Sequence, residues 1–281
     1  MPLDISVIVP CFNQAGFLAK CLESLTAQSF PRDRYEVIVV DNASEDDSAA
    51  VARRFPGVVV LTETKRGSYA ARNAGVRASR GAILAFTDSD CQVAPDWLAR
   101  IAETLSGQSV AVAQGGRRFA HESFALAIAA DYEHQRALYV FSGGAHDCWY
   151  GYTNNLATRR EVFDRIGPFH ELKRGGDTVF VSKVVQAYGG AAVRYIPTMA
   201  IRHLEIERAR DWLGKMWTYG RSYAVFQTLS QTRPLGFGQR WEIVRRTARD
   251  ARYGPLRVAV LGLMSVAATI AYEAGRITGD S

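Results

Sequence analysis

Residues 1–90 carry four short, unbroken apolar runs: Ile5–Val9, Val37–Val40, Val58–Leu61 and Ala82–Phe86. None alternates apolar with polar residues, so each reads as a strand buried on both faces, the pattern of a parallel sheet covered by helices. Helical stretches separate them, at Gln14–Gln28, Glu45–Phe55 and Ser68–Ser79. In the first, Phe17, Leu18, Cys21, Leu22 and Leu25 form one stripe at helical spacing. Strand and helix in strict alternation predict a doubly wound α/β sheet.

Beyond residue 90 the alternation loosens. Helices are expected at Pro95–Ser106, Ser123–Val140, Arg160–Ile166 and Thr178–Ala187, with strands at Val110–Gln114, Asn155–Thr158, Val193–Ile196 and Met199–His203. Gly143–Thr153 reads as a loop rich in glycine and aromatics, and the chain from Glu205 as helix broken at Pro234 and Pro255. With 281 residues, 48% of them hydrophobic and 22% charged, the chain can bury a full core, which excludes disorder and collagen-like order. Four cysteines without a Cys-x-x-Cys pair exclude a disulfide framework and a zinc knuckle, and favour plain thiols in a reducing compartment. Met1-Pro2-Leu3-Asp4 lacks the basic start of a signal peptide, so a cytoplasmic protein is expected.

Open α/β sheets bind ligands beyond the carboxyl ends of their strands. Pro10 and Asn13 follow the first strand, Asp41-Asn42 the second, and Asp88-Ser89-Asp90 the fourth. Asp and Asn also make good turns and helix caps, a role open to Ser44, Asp88 and Asp41. Asp88 and Asp90 together favour function, because two carboxylates one residue apart repel each other unless a cation or donors neutralise them. Hard oxygen ligands suit Mg²⁺ or Mn²⁺, ions that usually also hold substrate phosphates. No G-x-G-x-x-G and no P-loop follows the first strand, which disfavours the common hydride- and phosphoryl-transfer proteins.

Six ordered elements resemble the family 2 glycosyltransferases, which have the GT-A fold. They are Ser6–Pro10 with Asn13; Val39–Ser48; Ala70–Gly75 followed by Arg80-Gly81; Phe86–Cys91, matching the family's D-x-D; Gly175-Gly176-Asp177; and Ile196-Pro197 with His203. Together they cover roughly residues 4–223. The resemblance implies a GT-A-like, mostly parallel sheet. It implies a catalytic domain over 1–223, with a nucleotide-binding half to about 115 and an acceptor half from 116, followed by a helical tail over 224–281.

The resemblance also implies roles. Asp41 would bond the nucleobase, Pro10 would touch the nucleoside, and Asn13, Arg72 and Ser89 would belong to the nucleotide-sugar pocket. Asp88 would contact ribose or metal, Asp90 would ligate Mn²⁺ or Mg²⁺, and His203 would be a further metal or diphosphate ligand. Asp177 would be the general base of an inverting transfer, although its place before an apolar helix also suits a helix cap. The chemistry asks for the same parts: charge neutralisation at the departing diphosphate and a carboxylate near the acceptor hydroxyl.

Departures from the family pattern are specific. Gly176 stands where Glu is usual, which weakens support for the base and keeps a catalytically silent nucleotide-sugar-binding scaffold as the alternative. Asn154-Asn155 replaces Gly-Asn, Arg66 replaces a common Asn, and Gln239-Arg240-Trp241 lacks the Q-x-x-R-W spacing of processive members. A single-addition enzyme of glycan assembly is expected, with a slight preference for UDP-type donors and a glycan or lipid-linked acceptor. Trp149, Tyr150 and Tyr152 are candidates for an aromatic wall, and Tyr219, Gly220, Arg221 and Tyr223 resemble a segment near the acceptor.

Charge adds one partner. Residues 1–199 carry 21 basic and 21 acidic side chains, whereas 200–281 carry 13 and 7. The tail places Trp241, Val244, Ala248 and Ala251 on one helical face, with Arg245, Arg246, Arg249 and Arg252 on or near the other. The uncharged run Val258–Tyr272 is shorter than the ~20 residues that span a bilayer. Residues 239–275 are therefore expected to lie on a membrane surface, on its cytoplasmic side. The alternative is packing on the catalytic domain or on a second copy, and a homo-oligomer is left open. Nucleic acid is not expected, since no stacking aromatics accompany the arginines.

Overall fold

The computed structural model describes residues 3–120, 123–144 and 147–278, omitting the Ala224 side chain. Its strands are β1 (Ile5–Cys11), β2 (Tyr35–Asp41), β3 (Val58–Thr62), β4 (Ile83–Thr87), β5 (Cys91–Val93), β6 (Val112–Phe119), β7 (Asn155–Arg159) and β8 (Val193–His203). The helices are α1 (Ala15–Thr26), α2 (Ser48–Arg53), α3 (Ser68–Ala78), α4 (Trp97–Leu105), α5 (Phe124–Tyr139), α6 (Arg160–Ile166), α7 (Gly176–Tyr188), α8 (Ala209–Gln227), α9 (Phe237–Asp250) and α10 (Pro255–Ile277). All eight strands form one sheet in the order β3-β2-β1-β4-β7-β6-β8-β5. The β3-β2-β1-β4 block is parallel; β7 pairs antiparallel with both β4 and β6, and β6 runs parallel with β8.

The unbroken apolar runs have the expected cause. Val7 and Val9 of β1 face a core with Leu18, Cys21, Leu22 and Leu25 of α1 and Trp97 and Leu98 of α4. Ile8, on the other face, joins Leu84, Phe86 and the α6–α7 residues Phe163, Phe180 and Val184. Each such side chain contributes about 1.5–3 kcal/mol on burial. The exception is β3, whose residues are half-buried or exposed. It is the edge strand and is flanked by the six-residue α2.

Two expected strands are one. β8 runs through Val193–His203, and its register with β6 slips between Gly115 and Gly116. A Cβ on Gly116 would lie 2.5 Å from the Pro197 carbonyl, so the bulge requires glycine there. Asn155 pins it, donating to the Gly116 and Met199 carbonyls at 2.8 Å each while accepting from Trp97 Nε1 at 2.8 Å. The three-residue β5 carried no readable periodicity. Residues 145–146 of the expected 143–153 loop lie outside the described residues.

α8 continues across residue 223. A third core joins α5, α8, α9 and α10 through Leu126, Ile128, Trp212, Met216, Ile243, Val244, Leu261 and Ala268. α8 and α10 touch at backbone distance: a Cβ on Gly220 would sit 2.0 Å from the Tyr272 carbonyl, and one on Gly275 2.2 Å from that of Trp217. The tail thus packs on the body of the protein. It still exposes Phe237, Trp241, Leu256, Leu263, Val266, Ile270 and Ile277. Trp241 is therefore largely exposed, whereas Ile243, Val244 and Thr247 form the buried side of α9.

Candidate active site

The carboxyl ends of β1, β2 and β4 deliver the expected residues to one edge of the sheet. Past β1, Asn13 adopts φ 51° and locks onto the loop after β2, accepting from the Glu45 N–H at 2.8 Å and donating its own N–H to Ser44 Oγ. Ser44 therefore supports Asn13 rather than capping a helix. Asp41 is buried and its Oδ1 has no hydrogen-bond partner. A buried lone carboxylate oxygen costs free energy unless a donor reaches it, as a nucleobase N–H would. Asn42, by contrast, is structural, donating to the Glu63 and Lys65 carbonyls and accepting from the Gly67 N–H.

Arg72 projects from α3, almost fully buried, and forms an ion pair with Asp88. Asp90 and His203 meet because β5 pairs antiparallel with β8, setting Cys91 opposite His203. His203 Nε2 lies 3.5 Å from Asp90 Oδ2, and its Nδ1 is buried without a partner. Burial, together with Asp88 and Glu205, pushes the Asp90 carboxyl up to about 7. Burial, with Lys215 adding to it, lowers His203 to about 4, so its imidazole is neutral with a free lone pair. Potential ligand atoms of Asp90, Cys91 and His203 lie within 4.8 Å of one another. Burial and the neighbouring aspartates raise the pKa of the Cys91 thiol, and the cluster's hard and borderline donors are the Asp90 carboxylate and the His203 imidazole. That donor set fits a hard or borderline divalent cation.

Asp177 sits in the first turn of α7, behind Gly175 at φ 86°. Gly175 occupies the cap position, so Asp177 does not cap the helix through the expected geometry. Its carboxylate accepts from the Thr153 N–H at 3.1 Å and the Thr178 N–H at 2.9 Å, and it bonds with Tyr69. Burial raises its pKa, while Tyr69, Arg72 and the two N–H groups pull the other way. The glycine before it has a steric cause: a Cβ on Gly176 would lie 2.5 Å from the His170 carbonyl. Asp177 is thus supported by Tyr69 and Thr153, without the Glu usual at 176.

A cleft of about 380 Å³ takes Tyr69, Arg72, Asp88 and Asp177 into its lining. Trp149, Tyr150 and Tyr152 contribute to the cleft's lining, Trp149 and Tyr150 also packing in the core, and Tyr219 and Tyr223 line it from α8. Gly220 instead faces α10, and Arg221 stacks over Trp217. Of the Asn154-Asn155 pair, Asn154 lines the cleft and Asn155 serves the sheet. Pro10, Asn13, Asp41, Ser89, Asp90 and His203 are not on the cleft's walls. A second hollow of about 400 Å³ is lined by Glu205, Arg208, Asp211 and Lys215, among others. Tyr69, Arg117 and Arg136 went unnoticed in the sequence; only the three-residue step from Tyr69 to Arg72 on α3 hinted at a shared face.

Residues 6–167 match the model of Glycosyl transferase family 2. Glycosyltransferase AglE of Haloferax volcanii is 35% identical over 189 residues, which are 65% of this chain and 62% of that protein. Poly(ribitol-phosphate) beta-glucosyltransferase of Bacillus spizizenii is 32% identical over 35% of this chain and 16% of its own length. The chain thus spans less than two thirds of the curated relatives it matches first. Among solved structures, the mannosyltransferase PcManGT from Pyrobaculum calidifontis, in complex with GDP-Man and Mn²⁺, superposes with TM-score 0.69 at 21% identity, covering 97% of this chain and 89% of that one. Glucosyl-3-phosphoglycerate synthase from Mycobacterium tuberculosis, in complex with phosphoglyceric acid, gives 0.61 at 20% identity, covering 83% and 82%. These likenesses bear out the expected α/β sheet flanked by helices.

Proposed function

We propose a function on the premise that this chain belongs to Glycosyl transferase family 2. It transfers one sugar from a nucleoside diphosphate sugar to an acceptor hydroxyl, by direct displacement with inversion. The observation that carries this reading is the cleft whose lining holds Asp177, supported on two backbone N–H groups, together with the Arg72–Asp88 pair.

In this reading Asp41 and Pro10 receive the nucleoside, and Asn13, Arg72 and Ser89 shape the nucleotide-sugar pocket. Asp88, Asp90 and His203 hold a divalent cation, and the imidazole favours Mn²⁺ over Mg²⁺. When bound, the ion neutralises the departing diphosphate. Asp177 takes the proton of the acceptor hydroxyl as its oxygen bonds to the anomeric carbon, and the bond from that carbon to the diphosphate oxygen breaks. The raised pKa of Asp177 makes it a better base than a surface carboxylate. The solved neighbours carry both GDP-Man and UDP-Glc, so the site is assigned a nucleoside diphosphate without a base preference. The catalytically silent scaffold loses its motive, because Gly176 is a packing requirement.

The tail belongs to the proposal as a membrane contact that brings the enzyme to a lipid-linked acceptor. α10 is long and apolar enough to cross a bilayer by length and composition. Its glycine-mediated packing on α8 and its exposed apolar stripe favour lying along the surface.

Thermal-shift titration with nucleoside diphosphates and nucleotide sugars, with and without Mn²⁺, tests the assignment. Asp90→Ala should lose metal-dependent donor binding. Asp177→Asn should keep binding and lose transfer, and near wild-type transfer in that variant removes Asp177 as the base.

A further inference from the structure

Tyr69 meets the base by more than one contact. It stands in the first turn of α3, three residues before Arg72, a step that sets both side chains on one face of that helix. Its ring packs on Phe169, with centroids 5.7 Å apart, and the Arg72 guanidinium lies over it at 5.5 Å. The residue is buried, yet it lines the cleft together with Asp177. Its hydroxyl bonds Asp177 twice, accepting from the backbone N–H and donating to the carboxylate.

Gly176 is what lets that ring in. A Cβ there would lie 3.1 Å from Cδ2 and from Cε2 of Tyr69, tighter than an ordinary contact. A side chain at 176 would therefore press on the ring that carries the hydroxyl. Where the family usually has Glu, this chain leaves the space beside the glycine to a tyrosine from another helix. The remaining bonds to the carboxylate come from backbone, one to each oxygen: the Thr153 N–H reaches Oδ2 and the Thr178 N–H reaches Oδ1.

The tyrosine suits the task. Burial and the Asp177 charge push its pKa well above the usual value, so at neutral pH it keeps its proton and remains a donor. The charged groups that line the cleft with Asp177 include Arg72 from α3, Asp88 past β4, and Lys173 and Arg174 before α7. Arg72 is paired with Asp88 and adds its charge through space, whereas Tyr69 touches the carboxylate directly. His170, whose carbonyl crowds Gly176, accepts from Lys183 Nζ through its ring at 2.8 Å.

We infer that Tyr69 is a positioning residue of the transfer. From α3 it orients the Asp177 carboxylate, takes over the support that a glutamate at 176 would give, and ties the base to the helix that carries Arg72 of the donor pocket. The inference rests on the glycosyltransferase reading and adds to it a residue that acts through the base.

The experiment follows the Asp177 carboxyl itself, by ¹³C NMR of the full chain labelled at the aspartate side-chain carboxyl. Loss of one signal in Asp177→Asn assigns it. In Tyr69→Phe the titration midpoint should move up by about one pH unit, because the lost bond favours the ionised form. Tyr35→Phe removes another buried hydroxyl, bonded at 2.9 Å to the Leu25 carbonyl, and should leave the midpoint in place. The two variants lose comparable bonds, so a shift confined to Tyr69→Phe is not a general loosening of the fold. Nucleoside diphosphate binding with Mn²⁺ should stay within about twofold in both. Water can stand in for the acceptor, so hydrolysis of UDP-glucose and GDP-mannose with Mn²⁺ gives a rate. On whichever the parent hydrolyses, Tyr69→Phe should lower kcat about tenfold and leave KM within about twofold. The midpoint decides where neither is hydrolysed. A midpoint that stays or falls in Tyr69→Phe overturns the inference, as does an unchanged kcat, and nucleotide binding then leaves the transferase reading standing. Failure of every nucleoside diphosphate to bind the parent chain overturns the transferase reading, and the inference with it.

Discussion

At Asp177 burial and four neighbouring groups disagree about the charge of one side chain. Burial favours the protonated form; Tyr69, Arg72 and the N–H groups of Thr153 and Thr178 favour the carboxylate. Burial wins, so the acid limb of kcat should lie above the ordinary carboxylate range, with activity falling as pH drops through it. Asp177→Asn should lower kcat by about 10²–10⁴-fold, the usual worth of a general base, and abolish that limb. An acid limb that persists in the Asn variant would assign it to another group. Glu36 is the opposite case. It is buried, and it accepts from Ser6 Oγ at 2.6 Å and from the Arg80 N–H at 2.7 Å. Burial alone would raise its pKa, but those bonds with the Arg80 guanidinium pull it below 4.5. Its stabilisation is therefore present above pH 4.5 and lost as pH falls through the lower folded value. Glu36→Gln should cost roughly 1–3 kcal/mol at neutral pH, and the gap in Tm should close in acid. An equal gap at pH 7 and pH 3 would contradict this.

Elements here are positioned by what they lack as much as by what they carry. α7 can begin beside Asp177 because Gly176 clears the His170 carbonyl and Gly151 clears the backbone of Asp177 itself. β8 keeps two segments in one strand because Gly116 admits the Pro197 bulge. The pairing of β5 with β8 then brings Asp90 and His203 together from positions far apart in the chain. α8 and α10 approach through Gly220 and Gly275 closely enough that backbone meets backbone. Gly220→Val should force them apart at a cost of about 1–3 kcal/mol. Scanning calorimetry should show a lowered Tm, and limited proteolysis should release α10 while nucleotide binding persists. An unchanged Tm would mean that the two helices do not hold each other.

Taken whole, the molecule is an eight-stranded sheet with a helical flank whose outer face is unfinished. Leu256, Leu263, Val266, Ile270 and Ile277 recur along α10 at helical spacing, and Leu263 is 72% exposed. Phe237 and Trp241 of α9 are exposed as well, on a segment that also carries Arg245, Arg249 and Arg252. Replacing Leu256, Leu263 and Ile270 with Glu should abolish co-sedimentation with vesicles of anionic phospholipid and leave Tm unchanged. Binding by the parent chain should weaken as salt rises, since the arginine share is screened. Vesicle binding that survives the triple substitution would remove α10 as the contact.

The sheet's parallel half, its helices and the placement of candidate residues at the ends of β1, β2 and β4 were legible in the sequence, because apolar periodicity and strand-end polarity are local. Local pattern also foretold the amphipathic tail. It could not show that β3 would be an edge, that Cys91–Val93 would pair with β8, or that Trp241 would face out, since each depends on what lies across space. Nor could it join Arg117, Glu133 and Arg136 into one cluster, or explain Gly176. Burial and backbone clearance are properties of neighbours, and distant segments become neighbours only once the chain has folded.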